Sequence, residues 1–371
     1  MKIAYVNSIC HRYDAISNAI RDEIGWLIDV GHDVRLFTYS CDFEDVPHTR
    51  VERETDVAFD PFFQGCDLAV FHFGVYYPLF NLIPVVPLRA KRIVVFHNIT
   101  PKTCLPASSH DLIDKSFAQV SNIAFADHVV CVSETNLAVL QDTGVTSSAS
   151  VLPLAVHSKL QAPVSKPSFA DGVLRALFIG RLVQSKGPLD FLHALESMLR
   201  RTPKLKVQTD IVTNLDFSDP NVVDAVNARI KELDREFYPR LSIELRANVE
   251  EDVKQELLAN ADLFVLPTHH EGFCVPILEA LASGCQVIAY DNSNTPAVSG
   301  GLATLVPTGD RIALGEAMLA AANGATGNRT IEMERYAAAT EAAKRHLYNF
   351  SVPVVRKRFL RLIHTKSGYR Y

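Results

Sequence analysis

Paired or clustered cysteines are missing from this chain of 371 residues, and with them any disulfide framework. The seven cysteines (Cys10, Cys41, Cys66, Cys104, Cys131, Cys274, Cys285) are odd in number, scattered, and form no C-x-x-C pair. Several sit inside apolar runs such as Val129-Val130-Cys131-Val132, where a free thiol packs as a small hydrophobe. Reduced thiols in a cytoplasmic protein are therefore expected, not a disulfide or zinc scaffold. An unbroken apolar run is missing too. The longest stretch, Leu68 to Leu88, is interrupted by Pro78, Asn81, Pro84 and Pro87, whereas a membrane-crossing helix needs roughly 20 apolar residues in continuous helix. It reads as a buried strand followed by an extended loop. Charge of one sign is scarce: a net −5 excludes a nucleic-acid partner held by phosphate neutralisation. Met1-Lys2 leads straight into the strand-like run Ile3–Val6, so no leader is expected. There is no solenoid-period repeat, no low-complexity tract, no P-loop and no G-x-S-x-G elbow. No D-x-D stands in a context suggesting a metal-bound substrate.

What remains is an ordinary globular composition, 48% hydrophobic and 21% charged, in a chain long enough for two cores. Short β-branched and aromatic runs alternate with helix-period segments, the pattern of βαβ units. In the first half the strand candidates are Lys2–Val6, Val34–Tyr39, Leu68–Phe73, Arg92–His97 and His128–Val132. Between the first two, Ile20, Ile24, Leu27 and Ile28 predict a helix over Ile16–Val30 that stops at Gly31. The stretch His157–Gly172, with two Pro, three Ser and two Lys, reads as a linker. A second series follows: Arg175–Ile179, Val207–Val212, Leu241–Leu245, Leu263–Leu266, Gln286–Tyr290 and Leu302–Val306. The expected fold class is α/β, two Rossmann-like domains with parallel sheets facing a central cleft. Their expected extents are 1–160 and 173–345, with a helical segment at 346–371 that returns to the first domain.

The most informative run is Leu266-Pro-Thr-His-His-Glu271-Gly-Phe-Cys-Val-Pro276-Ile-Leu-Glu279-Ala-Leu-Ala-Ser-Gly284-Cys-Gln-Val-Ile-Ala289. It predicts strand, loop, helix, turn and strand, with Pro276 at the helix start and Gly284 at its end. Backbone N–H groups around Phe273 to Ile277, backed by the helix dipole, suit an anion such as a diphosphate. Glu279 is placed in the first helical turn. A second run, Gly180-Arg181-Leu182-Val183-Gln184-Ser185-Lys186-Gly187, sets two cations on one loop after a strand. Fixed cations there can stabilise charge growing on a leaving phosphate without a metal. Adjacent His269 and His270 lack further ligands at metal-site spacing, so no metal is expected.

Together, E-G-F-x-x-P-x-L-E-A-x-A-x-G-x-x-V-I-A and G-R-L-x-x-x-K-G resemble the donor site of family 4 of the retaining glycosyltransferases, whose fold is GT-B. That resemblance implies a retaining, metal-independent hexosyltransferase using a GDP- or UDP-linked sugar, mannose being one candidate. It places Arg181 and Lys186 on the diphosphate, Glu279 on ribose hydroxyls, and Glu271 with Gly272, Phe273, Cys274 and Val275 on the sugar. Val94-Val95-Phe96-His97-Asn98 resembles the family's His-Asp strand end, with Asn98 in place of Asp, and carries over His97 toward the donor sugar. The first strand-to-helix loop, Asn7 to Asn18, lacks the family's Gly pair and has Asp14-Ala15 instead, a candidate phosphate or acceptor contact. Cys274 and Cys285 stand where Gly and Pro are common. The resemblance to surface-polysaccharide transferases implies a glycan or lipid-linked acceptor and work at the inner face of the plasma membrane. There the basic residues from Arg356 to Arg370 could meet anionic lipid. Two other readings are a catalytically silent nucleotide-sugar-binding subunit and a different GT-B enzyme, such as a nucleotide-sugar epimerase.

Overall fold

The computed structural model describes residues 1–12, 14–157, 162–325 and 329–368. Among these residues fifteen strands run in chain order. In the first unit these are β1 (Lys2–Val6), β2 (Ile9–Cys10), β3 (Asp33–Thr38), β4 (Ser40–Cys41), β5 (His48–Arg50), β6 (Leu68–Phe73), β7 (Lys91–Phe96), β8 (His128–Cys131) and β9 (Ala149–Val151). The second contributes β10 (Val173–Ile179), β11 (Lys206–Thr213), β12 (Leu241–Ala247), β13 (Leu263–Leu266), β14 (Gln286–Asp291) and β15 (Ala303–Pro307). They form two main parallel sheets, ordered β5-β3-β1-β6-β7-β8-β9 and β12-β11-β10-β13-β14-β15, with β2 and β4 pairing apart. The chain divides into one unit of Met1–Ala155 with Phe350–Tyr371 and another of Val156–Asn349.

Both central strand sets are buried on both faces, which is why they read as continuous apolar runs. In the first unit Phe37, Phe63, Phe71, Phe73, Phe80 and Phe96 build the core, Phe73 stacking on Phe80 at 4.2 Å between centroids. Pro78–Val85 forms 3₁₀ turns rather than the expected extended loop, because its prolines allow a tight helical turn while Leu79, Phe80, Leu82 and Ile83 face the core. The helix α1 (Ala15–Asp29) buries Ile20, Ile24 and Leu27. The C-terminal helix Val352–Ser367 buries Val355, Phe359 and Ile363, one stripe at four-residue spacing. Phe359 meets Trp26 of α1 edge-on at 5.8 Å, and Arg356 pairs with Asp29 at 3.1 Å, so this helix is packed into the first unit.

The stretch read as a linker is not loose. Lys166 is buried, and its Nζ donates to the carbonyls of Leu258 (3.2 Å), Ala259 (2.9 Å) and Ser283 (2.6 Å). Those carbonyls close the C-termini of the helices Glu251–Asn260 and Val275–Ala282, groups that a helix cannot satisfy internally. Residues 158–161 of that stretch lie outside the described residues.

Candidate active site

In the second unit the strand order reverses between β10 and β13, and ligands of open parallel sheets sit beyond the strand ends at such a point. The loops following these two strands carry both sequence motifs. They are stitched together by backbone contacts: His269 N donates to Ser185 O at 2.7 Å, and Thr268 Oγ1 donates to the same carbonyl at 3.2 Å. The stitching sets Lys186 Nζ 2.5 Å from Glu271 Oε1, with side chains only 18% and 9% exposed. The two motifs thus meet as an ion pair. Lys186, expected on a diphosphate, and Glu271, expected on a sugar, bind each other directly. Arg181 is exposed, and no ion pair of Arg181 occurs among the described residues.

Behind that pair lies a group the motifs did not reveal. Buried Asp190 accepts from His269 Nε2 (3.0 Å), Tyr290 OH (3.0 Å) and Arg311 Nε (2.6 Å), anchoring the Glu271 loop from beneath. Burial alone would raise the Asp190 carboxyl, yet the bond from His269 and the Arg311 charge outweigh it and hold its pKa below the usual range. His270 faces elsewhere, its Nδ1 3.2 Å from Ser293 Oγ. The two histidines therefore serve different partners, and among the described residues no group of three or more potential ligands could hold a metal ion.

The expectation for Glu279 needs correcting. The helix begins at Val275, with Cys274 as its N-cap and Pro276 in its opening turn, so Glu279 falls in the second turn, beyond the strongest reach of the dipole. A cation holds it instead: Lys254 Nζ donates to Glu279 Oε1 at 2.8 Å and lies 2.9 Å from Glu251 Oε2. Burial opposes charge on Lys254, but Glu279 and Glu251 prevail and raise its pKa. Lys254 could not be found from the motif, since it sits on the preceding helix. Phe273 is buried, and its carbonyl accepts from Asn294 Nδ2 at 2.8 Å; Gly272 and Val275 are half-buried beside it.

The remaining expected residues belong to the first unit. His97 directly follows β7, its Nε2 2.9 Å from His72 Nδ1. Asn98 has φ +77°, a left-handed conformation that few non-glycine residues adopt, and its Oδ1 accepts from Ile99 N at 2.7 Å. Gly74, after β6, brings this strand end close to α1: a Cβ there would lie 3.3 Å from His97 Cβ and 3.5 Å from Ile16 Cδ1. Asp14 is the N-cap of α1 and accepts from Ser17 N (2.8 Å) and Ser17 Oγ (2.7 Å), and Ala15 is the first helical residue. The Asp14 carboxylate is thus already occupied at the helix start. Tyr13 lies outside the described residues.

Residues 174–323 match the family described as glycosyl transferases group 1. Over this span the chain is similar to group 1 glycosyltransferases. It also resembles an MMP alpha-(1->4)-mannosyltransferase of Mycolicibacterium hassiacum, 26% identical over 151 residues. That match takes in 40% of this chain but only 33% of the relative, so the chain spans about a third of that protein. Over nearly full length the fold resembles a glycosyltransferase from Rickettsia africae, with a TM-score of 0.76 at 16% identity and 99% of each chain covered. It likewise resembles the lipopolysaccharide outer core galactosyltransferase WaaB, with a TM-score of 0.69 at 15% identity, covering 99% of this chain and 100% of that one. The fold is GT-B.

Within the matched span, the backbone at Cys274 is of the kind that suits glycine. Its φ of +81° is left-handed, and its buried thiol lies against Glu271. Burial first, and then the Glu271 charge, raise the thiol's pKa. Left-handed backbone costs a Cβ-bearing residue roughly 1–2 kcal/mol, which glycine escapes. Cys274→Gly is therefore expected to be more stable than Cys274→Ala, which keeps the strain and loses the thiol. Thermal melts of both variants measure this, and the opposite order would show that the thiol's packing dominates.

Proposed function

We propose that this chain is a retaining, metal-independent glycosyltransferase that moves a hexose from a nucleoside-diphosphate sugar to a glycan or lipid-linked acceptor. The observation that carries the reading is the Lys186–Glu271 pair at the reversal point of the second sheet. Donor binding splits that pair. Lys186 moves to the diphosphate, joined by Arg181, and Glu271 is released toward the sugar. As the bond from the anomeric carbon to the phosphate oxygen breaks, negative charge grows on the phosphate beside Lys186 and Arg181. Positive charge grows on the sugar beside Glu271. The acceptor hydroxyl attacks from the face the phosphate leaves, which preserves configuration, and its proton passes to the departing phosphate. Glu279, held by Lys254 through one oxygen, keeps the other for ribose hydroxyls.

The likeness to a mannosyltransferase supports mannose, and the likeness to a lipopolysaccharide galactosyltransferase supports an envelope glycan as acceptor. Among the described residues no helix is long and apolar enough to cross a membrane. Contact with anionic lipid would fall to Lys357 and Arg361 of the C-terminal helix, both exposed, because Arg356 and Arg358 already bind Asp29 and the Val151 carbonyl. Arg370 lies outside the described residues.

Titration calorimetry with GDP and UDP in the presence of EDTA tests the reading. One nucleotide should bind without metal, and Glu279→Gln should weaken it about 10–100-fold, the loss of a charge-assisted hydrogen bond pair. Glu271→Gln should leave that affinity intact and lower kcat. Binding that requires Mg²⁺, or binding insensitive to Glu279, would remove this assignment.

A further inference from the structure

Four polar side chains in the first unit form a continuous hydrogen-bonded row that ends at His97, the residue the sequence directs toward the donor sugar. Tyr5 OH of β1 donates to Glu23 Oε2 of α1 at 3.1 Å. The same oxygen lies 3.1 Å from His72 Nε2 of β6, and His72 Nδ1 lies 2.9 Å from His97 Nε2. Tyr5, Glu23 and His72 are 0%, 7% and 1% exposed, so water does not compete along the row. The two imidazoles stack at 5.1 Å between centroids.

The row favours one arrangement of its protons. Burial, and then the Glu23 charge, hold the Tyr5 hydroxyl protonated, so it donates. An ionised carboxylate only accepts, so His72 presents N–H at Nε2. A neutral His72 that donates from Nε2 to this carboxylate has no second N–H, and its Nδ1 is then an acceptor. His97 must then carry its hydrogen on Nε2, leaving its own Nδ1 bare. Burial lowers the His97 pKa and keeps that ring neutral. Stability alone does not call for such a row: β6 is otherwise Leu68, Ala69, Val70, Phe71 and Phe73, and apolar side chains fill such space without desolvating a carboxylate. The strand end also carries the marks of a working site. Asn98, next to His97, is left-handed, and its buried Nδ2 has no hydrogen-bond partner among the described residues.

We propose that Glu23 and His72 are positioning residues that set His97 in its Nε2–H tautomer, so that Nδ1 serves as hydrogen-bond acceptor for a sugar hydroxyl of the substrate. The hydroxyl rests on the glycosyl-transfer reading; the tautomer does not.

Nitrogen-15 NMR of the histidine rings in the full chain at neutral pH reads the tautomer directly. The expected result is His97 protonated at Nε2 and bare at Nδ1. In His72→Phe the His97 proton should redistribute between both nitrogens, with kcat down about 10-fold, the loss of one hydrogen bond to a sugar hydroxyl. His72→Gln, whose amide oxygen still accepts from His97, should keep both the tautomer and most of the turnover. His97 found as the Nδ1–H tautomer or as imidazolium in the unsubstituted protein overturns the proposal, as does a His72→Phe variant with unchanged tautomer. If the tautomer is as expected but no nucleotide-sugar is turned over, the role toward a sugar hydroxyl falls with the functional reading. Control of His97 by Glu23 and His72 would then stand alone.

Discussion

Lys186→Met is expected to lower kcat for glycosyl transfer by about 10²–10³-fold, the effect of deleting one preorganised group facing charge that develops in the transition state. The same substitution should destabilise the free protein, because it strips Glu271 of the cation 2.5 Å away. Glu271 is only 9% exposed at its side chain, so water cannot replace the lost partner fully. A buried acceptor left unsatisfied costs about 1–3 kcal/mol. The two losses separate in a double variant. Lys186→Met with Glu271→Gln removes the stranded charge and should recover most of the stability, while activity stays lost. Such non-additivity is expected only of residues in contact. Urea melts and steady-state kinetics on the two single variants and the double variant supply the measurement. An unchanged kcat in Lys186→Met would mean that the lysine does no more than neutralise Glu271.

Much of the fold was legible in the sequence because parallel strands buried on both faces appear as apolar runs with polar ends. Leu68–Phe73 is bounded by Asp67 and Gly74, and Leu263–Leu266 by Asp262 and Pro267; both strands occupy the residues expected of them. The short strands β5 (His48–Arg50) and β9 (Ala149–Val151) were not legible. They sit at the sheet edge, where one side faces no further strand and polar residues are tolerated. The site followed the same division. Lys186, Glu271 and Glu279 stood out by motif, but the groups around them arrive from elsewhere in the chain: Lys254, on a neighbouring helix, pairs with Glu279, and Asp190, from the helix after Gly187, bonds His269 two residues before Glu271. Glu23 and His72 did leave a signal. Glu23 interrupts the apolar stripe Ile20, Ile24 and Leu27, and His72 interrupts an otherwise apolar strand. A polar group at a core position requires a buried partner, and these two are partners of each other.

Gly187→Ala should be the most damaging single change near the site, even though it adds one carbon to a residue with no chemistry of its own. Gly187 ends the 3₁₀ turn Gln184–Lys186 and opens the helix Pro188–Arg201, with φ +66°. A Cβ at this position would lie 2.1 Å from the Pro267 carbonyl oxygen and 3.0 Å from its carbon. Both are backbone atoms, so no rotamer change relieves the contact, and the two loops must part. Parting them breaks the bonds from His269 and Thr268 to the Ser185 carbonyl and pulls Lys186 from Glu271. The left-handed strain of alanine alone costs roughly 1–2 kcal/mol. With overpacking of similar size or larger added, the loss should reach about 3 kcal/mol, lowering Tm by roughly 6–12 °C for a domain of this size. Gly187→Asn separates the two causes. Asparagine tolerates left-handed backbone but carries the same Cβ, so it should fare nearly as badly as alanine if the contact with Pro267 dominates. If asparagine restores both Tm and kcat, backbone conformation alone explains the glycine. If Gly187→Ala melts with the unsubstituted protein, the close approach of the two loops does not exist in solution, and the placement of Lys186 beside Glu271 falls with it.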